Sequence, residues 1–264
     1  TAVTPDINPA ILTWTEQLGL PDFTSIKDRD FEAAFSVALP AHLAEIEAIA
    51  NNPEDPTFET TVSALERAGE LLTRASDIFW NLVGANTNDT LQELERKLSP
   101  ELSRHHSAIM MNRSLFGRID ALYRNRESLG LDAEASRVLE LKWKSFVRSG
   151  AKLNESDQTQ LAAINERLAT LGTAFSQNVL ADERDYALVL ETNEDLAGLP
   201  DSLISSMSAA AEERGHKDRY AVTLSRSIIE PFLTFSERRD LRETAFKAWI
   251  ARGEGTGERD NRPL

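Results

Sequence analysis

The stretch that decides the fold prediction is residues 31–49, FEAAFSVALPAHLAEIEAI. Its larger apolar side chains recur at intervals of three and four residues, at Phe31, Phe35, Leu39, Leu43, Ile46 and Ile49. Because an α-helix has 3.6 residues per turn, this spacing places these side chains along one side of a helix. The stretch therefore predicts a long helix with a single apolar stripe.

Similar spacing continues after this stretch. A second helix is predicted from Thr57, whose hydroxyl can accept a hydrogen bond from the first turn, to about Gly84. A short helix is predicted to start at Asn88-Asp89. Ser99-Pro100 predicts the start of another that reaches Tyr123, because proline is favoured in the first turn of a helix.

Two further helices are predicted in the middle of the chain. Gly130 and Asp132 indicate a helix end followed by a helix start, and Gly150 indicates the next end, so two antiparallel neighbours are expected. From Asn154 or Ser156 a pattern close to a coiled-coil seam follows, at Leu161, Ile164, Leu168, Leu171, Phe175 and Val179. We interpret this seam as a contact within one helical bundle, because the chain supplies many other helices.

The last third of the sequence changes character. Tyr186–Leu190 and Tyr220–Leu224 are short β-prone runs and are predicted to pair as a small ribbon. Residues 200–214 between them predict a helix ending at Gly215, and Ser236 predicts the cap of a final helix.

The predicted fold class is therefore mainly α: a multi-helix bundle with long antiparallel helices and a small β-ribbon in the last third. We predict two parts, a helical bundle over residues 1–180 and a part with the ribbon and further helices over 181–264. No internal repeat at solenoid periods is visible in the sequence.

Composition restricts the class of function. The 264 residues include 43 acidic and 29 basic side chains, a formal charge of −14, which repels a nucleic-acid backbone. The absence of cysteine excludes thiolate nucleophiles, disulfides and cysteine-based metal motifs. Thr1–Leu20 lacks the features of a signal peptide, and no apolar stretch approaches the roughly 20 residues of a membrane span. We predict a trimmed, soluble, cytoplasmic protein without a nucleic-acid or membrane partner.

The four histidines do not form a recognisable zinc motif. His105 and His106 are adjacent, so on a helix they point about 100° apart and cannot bind one ion as a pair one turn apart does. Glu101 lies four residues before His105, but a third ligand is missing, and a solvated helix face is the favoured interpretation. His42 and His216 stand alone.

Other candidate groups also favour a structural interpretation. No Gly-x-Ser-x-Gly sequence is present, and carboxylate pairs such as Glu212 and Glu213 are typical of an acidic surface. The glycine-rich run Gly253–Gly257 has no preceding strand and no following lysine, which favours a flexible linker over a phosphate loop. The basic group Arg238, Arg239, Arg242 and Lys247 could bind an acidic peptide end, but a solvated helix face is favoured. We therefore predict no catalytic, cofactor-binding or metal-binding residues in this chain.

Several motifs, in this order, resemble the amino-terminal half of the thimet-oligopeptidase-like zinc metallopeptidases. They are Pro56-Thr57-Phe58-Glu59-Thr60-Thr61, Ala64-Leu65-Glu66 with Gly69-Glu70-Leu71-Leu72-Thr73-Arg74, Thr87-Asn88-Asp89, Leu115-Phe116-x-Arg118-Ile119-Asp120, Arg126-Glu127-Ser128-Leu129-Gly130-Leu131-Asp132, Phe146-x-x-x-Gly150-Ala151-Lys152-Leu153 and Phe175-x-x-Asn178-Val179-Leu180. Thr60 stands where the family usually has Asn. The second and fifth motifs favour the dipeptidyl carboxypeptidase branch over the oligopeptidase A branch.

The resemblance implies that the chain is the non-catalytic amino-terminal part of such a peptidase and forms one wall of a narrow channel for short peptides. In that family the zinc ion and the general-base glutamate belong to a His-Glu-x-x-His helix in the carboxy-terminal half, which matches no position here. The implied partners are short peptide substrates and that missing catalytic domain, and the isolated chain could self-associate. Two alternatives remain: a stand-alone acidic interaction domain, and an independent metalloenzyme that uses Glu101 and His105.

Overall fold

The computed structural model describes residues 7–14 and 17–264. The chain divides into two compact units, Thr1–Thr170 and Leu171–Leu264, and the division falls within the longest helix. The predicted division at residue 180 lies in the same helix. The prediction that Thr1–Leu20 lacks a leader concerns residues of which 1–6 and 15–16 lie outside the described part.

The described part of the first unit contains helices joined by loops and no strand. Its helices are α1 (Pro9–Leu12), α2 (Asp30–Ala50), α3 (Ala64–Arg67), α4 (Glu70–Ala85), α5 (Asp89–Met110), α6 (Arg113–Arg124), α7 (Ala133–Arg148) and the first part of α8 (Glu155–Asp185). Short 3₁₀ segments lie at Gln17–Gly19 and Arg126–Ser128, and a π-helical segment, Phe58–Ser63, precedes α3.

The second unit combines helices with one small sheet. After the end of α8 come β1 (Leu188–Leu190), a 3₁₀ segment (Asn193–Leu196), α9 (Asp201–Glu213), β2 (Tyr220–Val222), α10 (Arg226–Phe235), α11 (Arg239–Ile250) and a 3₁₀ segment (Gly257–Arg259). The strands are antiparallel, with Leu188 opposite Val222 and Leu190 opposite Tyr220. The mainly α fold class and the ribbon are thus confirmed, and the bundle of long antiparallel helices stays a prediction.

Helix α2 organises the first unit, because its apolar stripe enters two separate cores. Phe31 and Phe35 near its start pack edge-on against Phe79 of α4, with ring centroids 5.2 and 5.6 Å apart. Ile46 and Ala50 near its end belong to a second core, which also includes buried residues of α5, α6 and α7. The stretch that decided the prediction therefore holds both cores together.

The predicted second helix is interrupted. It begins as the π-helical segment capped by Thr57, whose Oγ1 accepts a hydrogen bond from the Thr60 N–H, and it breaks after α3. Gly69 at the break has φ +78°, a conformation that costs little only for glycine. A new helix, α4, starts immediately after it. The prediction of one continuous helix from Thr57 to Gly84 is therefore wrong.

Helix α5 is continuous where two helices were predicted. Pro100 lies inside it and does not start a new helix. Leu98 packs in the first core and Ile109 in the second, so the helix is stabilised by packing on both sides of the proline. Asn112 separates α5 from α6. It caps α6, where its Oδ1 accepts a hydrogen bond from the Leu115 N–H.

Two predictions about apolar surface need correction. The side chains of Ile164 and Leu168 in α8 are 55% and 60% exposed, so this part of the seam is not an internal contact. Helix α2 has the length, 21 residues, and the mean hydropathy, 1.3, of a membrane-crossing helix, contrary to the prediction that no such stretch exists. This is weak support for a membrane span, because core helices pass the same test.

The second unit has its own core, formed by β1, β2 and helices α9 to α11 around Met207, Ile229 and Phe232. Helix α10 has no counterpart among the predicted helices. Ser236 ends α10 instead of capping the final helix, which begins at Arg239.

The glycine-rich run is also not a free linker. Gly253 N–H donates to Asp182 Oδ2 over 2.8 Å, and Asn261 Nδ2 donates to the Phe175 carbonyl over 3.1 Å. Arg259 pairs with Asp185 at 2.6 Å. The segment is held against the end of α8, so the prediction of a flexible end is wrong.

Candidate functional site

The structure brings together two histidines that lie far apart in the sequence. His42 lies in the middle of α2, between the two cores, and His105 lies in α5. His42 Nδ1 is 3.0 Å from His105 Nε2, a hydrogen-bond distance. The residues are separated by 63 positions, so no local pattern could have predicted the pair. Glu101, the partner considered from the sequence, forms no described bond to His105.

The backbone around Gly69 shapes one side of this pair. The Gly69 N–H donates to Glu45 Oε2 over 2.7 Å. A β-carbon on Gly69 would lie 2.8 Å from the His42 ring, closer than real contacts allow. The break between α3 and α4 therefore serves two purposes: it lets the chain turn and it leaves room for the imidazole of His42.

The hydrogen bond has a preferred direction. His105 is 8% exposed, and its Nδ1 is buried without a partner among the described residues. A buried N–H without an acceptor is costlier than a buried lone pair without a donor. The arrangement that avoids such an N–H places the proton of His105 on Nε2, which then donates to His42 Nδ1. Both rings are neutral in this arrangement.

Burial keeps the pair neutral. Loss of solvation, with smaller contributions from the nearby His42 and His106, lowers the pKa of His105 to about 4. Loss of solvation also lowers the pKa of His42, although the Glu45 carboxylate acts in the opposite direction. At neutral pH the pair therefore contributes two uncharged rings to the region between the cores.

The described residues do not fit a catalytic zinc ion. Such an ion takes three protein ligands and leaves a position open for water. No group of three or more His, Asp or Glu side chains suited to a metal occurs within residues 7–14 and 17–264. His106 is exposed, and His216 lies outside any such group. The prediction that this chain lacks metal and catalytic residues stays a prediction.

The basic group of the second unit is partly neutralised. Arg238 pairs with Asp195 and with Asp240, 2.8 Å away, and the Arg238 guanidinium lowers the pKa of Asp240 to about 2. Lys247 pairs with Glu243 at 2.5 Å. Arg242 donates to the Ser236 carbonyl. These contacts favour the solvated helix face over a site for an acidic peptide end.

No family model matches the chain. It is 36% identical over 258 residues to dipeptidyl carboxypeptidase of Escherichia coli (strain K12), which covers 98% of this chain and 38% of that protein. It is 36% identical over 244 residues to dipeptidyl carboxypeptidase of Salmonella typhimurium, covering 92% of this chain and 36% of that protein. Oligopeptidase A of Haemophilus influenzae is 28% identical over 247 residues, again 92% of this chain and 36% of that protein.

These similarities confirm the resemblance that the motifs indicated, and the identity is higher to the two dipeptidyl carboxypeptidases than to this oligopeptidase A. The match lies in the amino-terminal part of these relatives. The chain spans little more than a third of their length.

Proposed function

We propose that this chain is the amino-terminal, non-catalytic part of a cytoplasmic zinc peptidase that hydrolyses short peptides and releases dipeptides from their carboxyl end. The observation that supports the proposal most is the similarity across 98% of the chain to a protein named dipeptidyl carboxypeptidase, of which it spans only 38%. The relatives' additional length leaves ample room for a catalytic domain on polypeptide outside these 264 residues.

The chemistry of the described residues supports this division of labour. The only close pair of histidines in the described part is partly buried, neutral and without a third ligand, so it is suited to holding helices together and not to activating water. The proposed contribution of this chain is to restrict access and to position the peptide, which accelerates a reaction without a chemical group of its own.

Exposed apolar side chains support a missing neighbour. Leu141, Ile164 and Leu168 of the first unit are 50%, 55% and 60% exposed. Ile164 and Leu168 are one turn apart in α8 and so share one helix face, and neighbouring exposed apolar side chains are typical of surfaces covered by another chain or domain. We propose that the rest of the peptidase covers part of this surface, and that the isolated chain self-associates through it.

The test compares the 264-residue chain with the protein encoded by its complete reading frame. Both are assayed for release of the carboxy-terminal dipeptide from an amino-blocked tetrapeptide, with and without a zinc chelator, and both are analysed for bound metal. We expect a chelator-sensitive activity and one zinc per molecule only in the longer protein.

A matched variant separates the two possible locations of the metal. His105→Gln in the longer protein should leave the zinc content unchanged, because His105 bonds only to His42 in the described part. Chelator-sensitive hydrolysis by the 264-residue chain alone would contradict the proposal. A reading frame without further peptidase sequence would favour the alternative, an acidic helical interaction domain.

A further inference from the structure

A polar cavity of about 320 Å³ lies in the first unit between α5, the end of α7 and the beginning of α8. Its charged lining residue is Arg148 in the last turn of α7, and His106 of α5 lies beside it. Among the described residues no Asp or Glu lines the cavity. In a chain with 43 acidic residues, a cavity lined by an arginine and no carboxylate favours an anionic ligand.

The arginine is free to bind such a ligand. Arg148 takes part in none of the ion pairs found within residues 7–14 and 17–264, and its side chain is exposed to solvent. Glu166, which follows the lining residue Asn165 in α8, is already paired with Arg104 at 2.5 Å. A free guanidinium presents parallel N–H donors that match the two oxygens of a carboxylate.

The rest of the lining is suited to a peptide end more than to a bare ion. Ser103, Ser149 and Asn165 add hydroxyl and amide groups that can bond to a peptide backbone. Met110 and Leu161 add an apolar wall. A site with a few convergent polar groups and an apolar surface is typical of small-molecule and peptide pockets of this volume.

We propose that this cavity binds the free carboxyl end of a peptide, with the Arg148 guanidinium paired to the terminal carboxylate and the terminal side chain against Met110 and Leu161. This deepens the proposed function and rests on it for the choice of peptides as ligands. Binding is measured here without hydrolysis, so its failure would remove this site and leave the dipeptide-release test above unaffected.

The experiment titrates the 264-residue chain with N-acetyl-alanyl-leucine, with its carboxy-terminal amide and with inorganic phosphate, followed by calorimetry and amide chemical shifts. Arg148→Gln removes the proposed partner. Arg167→Gln removes an exposed charge from α8 that does not line the cavity, which makes it a matched control for net charge.

We expect the peptide acid to bind, with shifts at Ser103, Ser149 and Asn165, and Arg148→Gln to weaken it at least about 10-fold, as expected for loss of a charged hydrogen bond. Arg167→Gln should change the affinity less than about 2-fold, as for a screened surface charge. The amide and phosphate should bind more weakly than the acid. Equal binding of acid and amide, equal binding of phosphate, or equal effects of the two substitutions would each overturn the proposal.

Discussion

We predict that the histidine pair makes the fold less stable at acidic pH. The pKa of His105 is lowered to about 4 in the folded chain, against about 6.5 for an unfolded histidine. Above pH 6.5 both states are neutral at this position and the shift has no effect. As the pH falls below 6.5 the unfolded chain binds a proton that the folded chain resists, so stability is lost until the pH reaches about 4.

The size of this loss of stability follows from the lowered pKa of His105. Each pH unit within this window costs about 1.4 kcal/mol in the free energy of unfolding. Between pH 6.5 and pH 5 the loss is therefore about 2 kcal/mol, a large part of the 5–15 kcal/mol roughly typical of a domain. Solvent screens this effect only weakly, because His105 is 8% exposed.

The histidines and the ion-paired carboxylates change the stability of the fold in different pH ranges. Ion pairing lowers the pKa of Glu140 to about 2, so its favourable contribution is lost only below the ordinary carboxylate pKa of roughly 4. Between pH 7 and pH 5 the remaining slope of stability comes mainly from histidine. His42, whose pKa burial also lowers, acts in the same direction as His105.

The assay is urea unfolding of the 264-residue chain at pH 7 and at pH 5, with His105→Gln and His106→Gln as a matched pair. Glutamine keeps a donor for His42 and does not titrate. We expect His105→Gln to lose about 2 kcal/mol less than wild type between the two pH values. His106→Gln, at an exposed position, removes only the smallest of the three causes that lower the pKa of His105 and should stay close to wild type. An NMR titration gives the pKa of each ring directly. An ordinary pKa near 6.5 for His105, or equal pH dependence in all three proteins, would refute the reasoning.

Two further predictions concern packing and surface. Gly69→Ala should destabilise the chain by about 1–3 kcal/mol in urea unfolding, because φ is +78° there and the new methyl would lie 2.8 Å from the His42 ring. Gly117→Ala, inside α6 with nothing within 4 Å of the new methyl, should stabilise by up to about 1 kcal/mol, and a loss as large as that of Gly69→Ala would contradict the argument. Ile164→Gln with Leu168→Gln should leave the free energy of unfolding within about 1 kcal/mol and reduce self-association in sedimentation velocity, because both side chains are more than half exposed. Unchanged self-association would show that this surface is not where copies meet.

Local patterns predicted most of the helices, because an apolar stripe and a helix cap each depend on residues only a few positions apart. The apolar spacing of α2, the cap at Asp132 and the end at Gly150 all follow from interactions within a few positions. The ribbon was predictable for the same reason, since Tyr186–Leu190 and Tyr220–Leu224 are short runs of residues that favour strands.

The failures share a different cause, which is packing between distant parts of the chain. At Pro100 a local rule predicted a helix start, but side chains before and after it enter the two cores and keep α5 continuous. A proline in a helix interior costs about 3 kcal/mol, an amount that a few buried Leu and Ile side chains can offset. Helix α10 carries an internal proline as well, Pro231, and it too is stabilised by burial of Ile229 and Phe232.

The residues of the two candidate sites were hidden for related reasons. In the sequence, His42 is an ordinary polar residue beside an apolar stripe. Only the fold encloses it, between Gly69 at the helix break and His105 of α5. Arg148 reads as a cation at a helix end, where it interacts favourably with the helix dipole. Arg148 becomes a candidate binding residue because of its neighbours in the fold. The cavity lining around it contains serines and an asparagine and no carboxylate. Residues of this kind become candidates only when the environment supplied by other helices is known. The peptide titration of Arg148→Gln tests whether this environment makes Arg148 a binding residue.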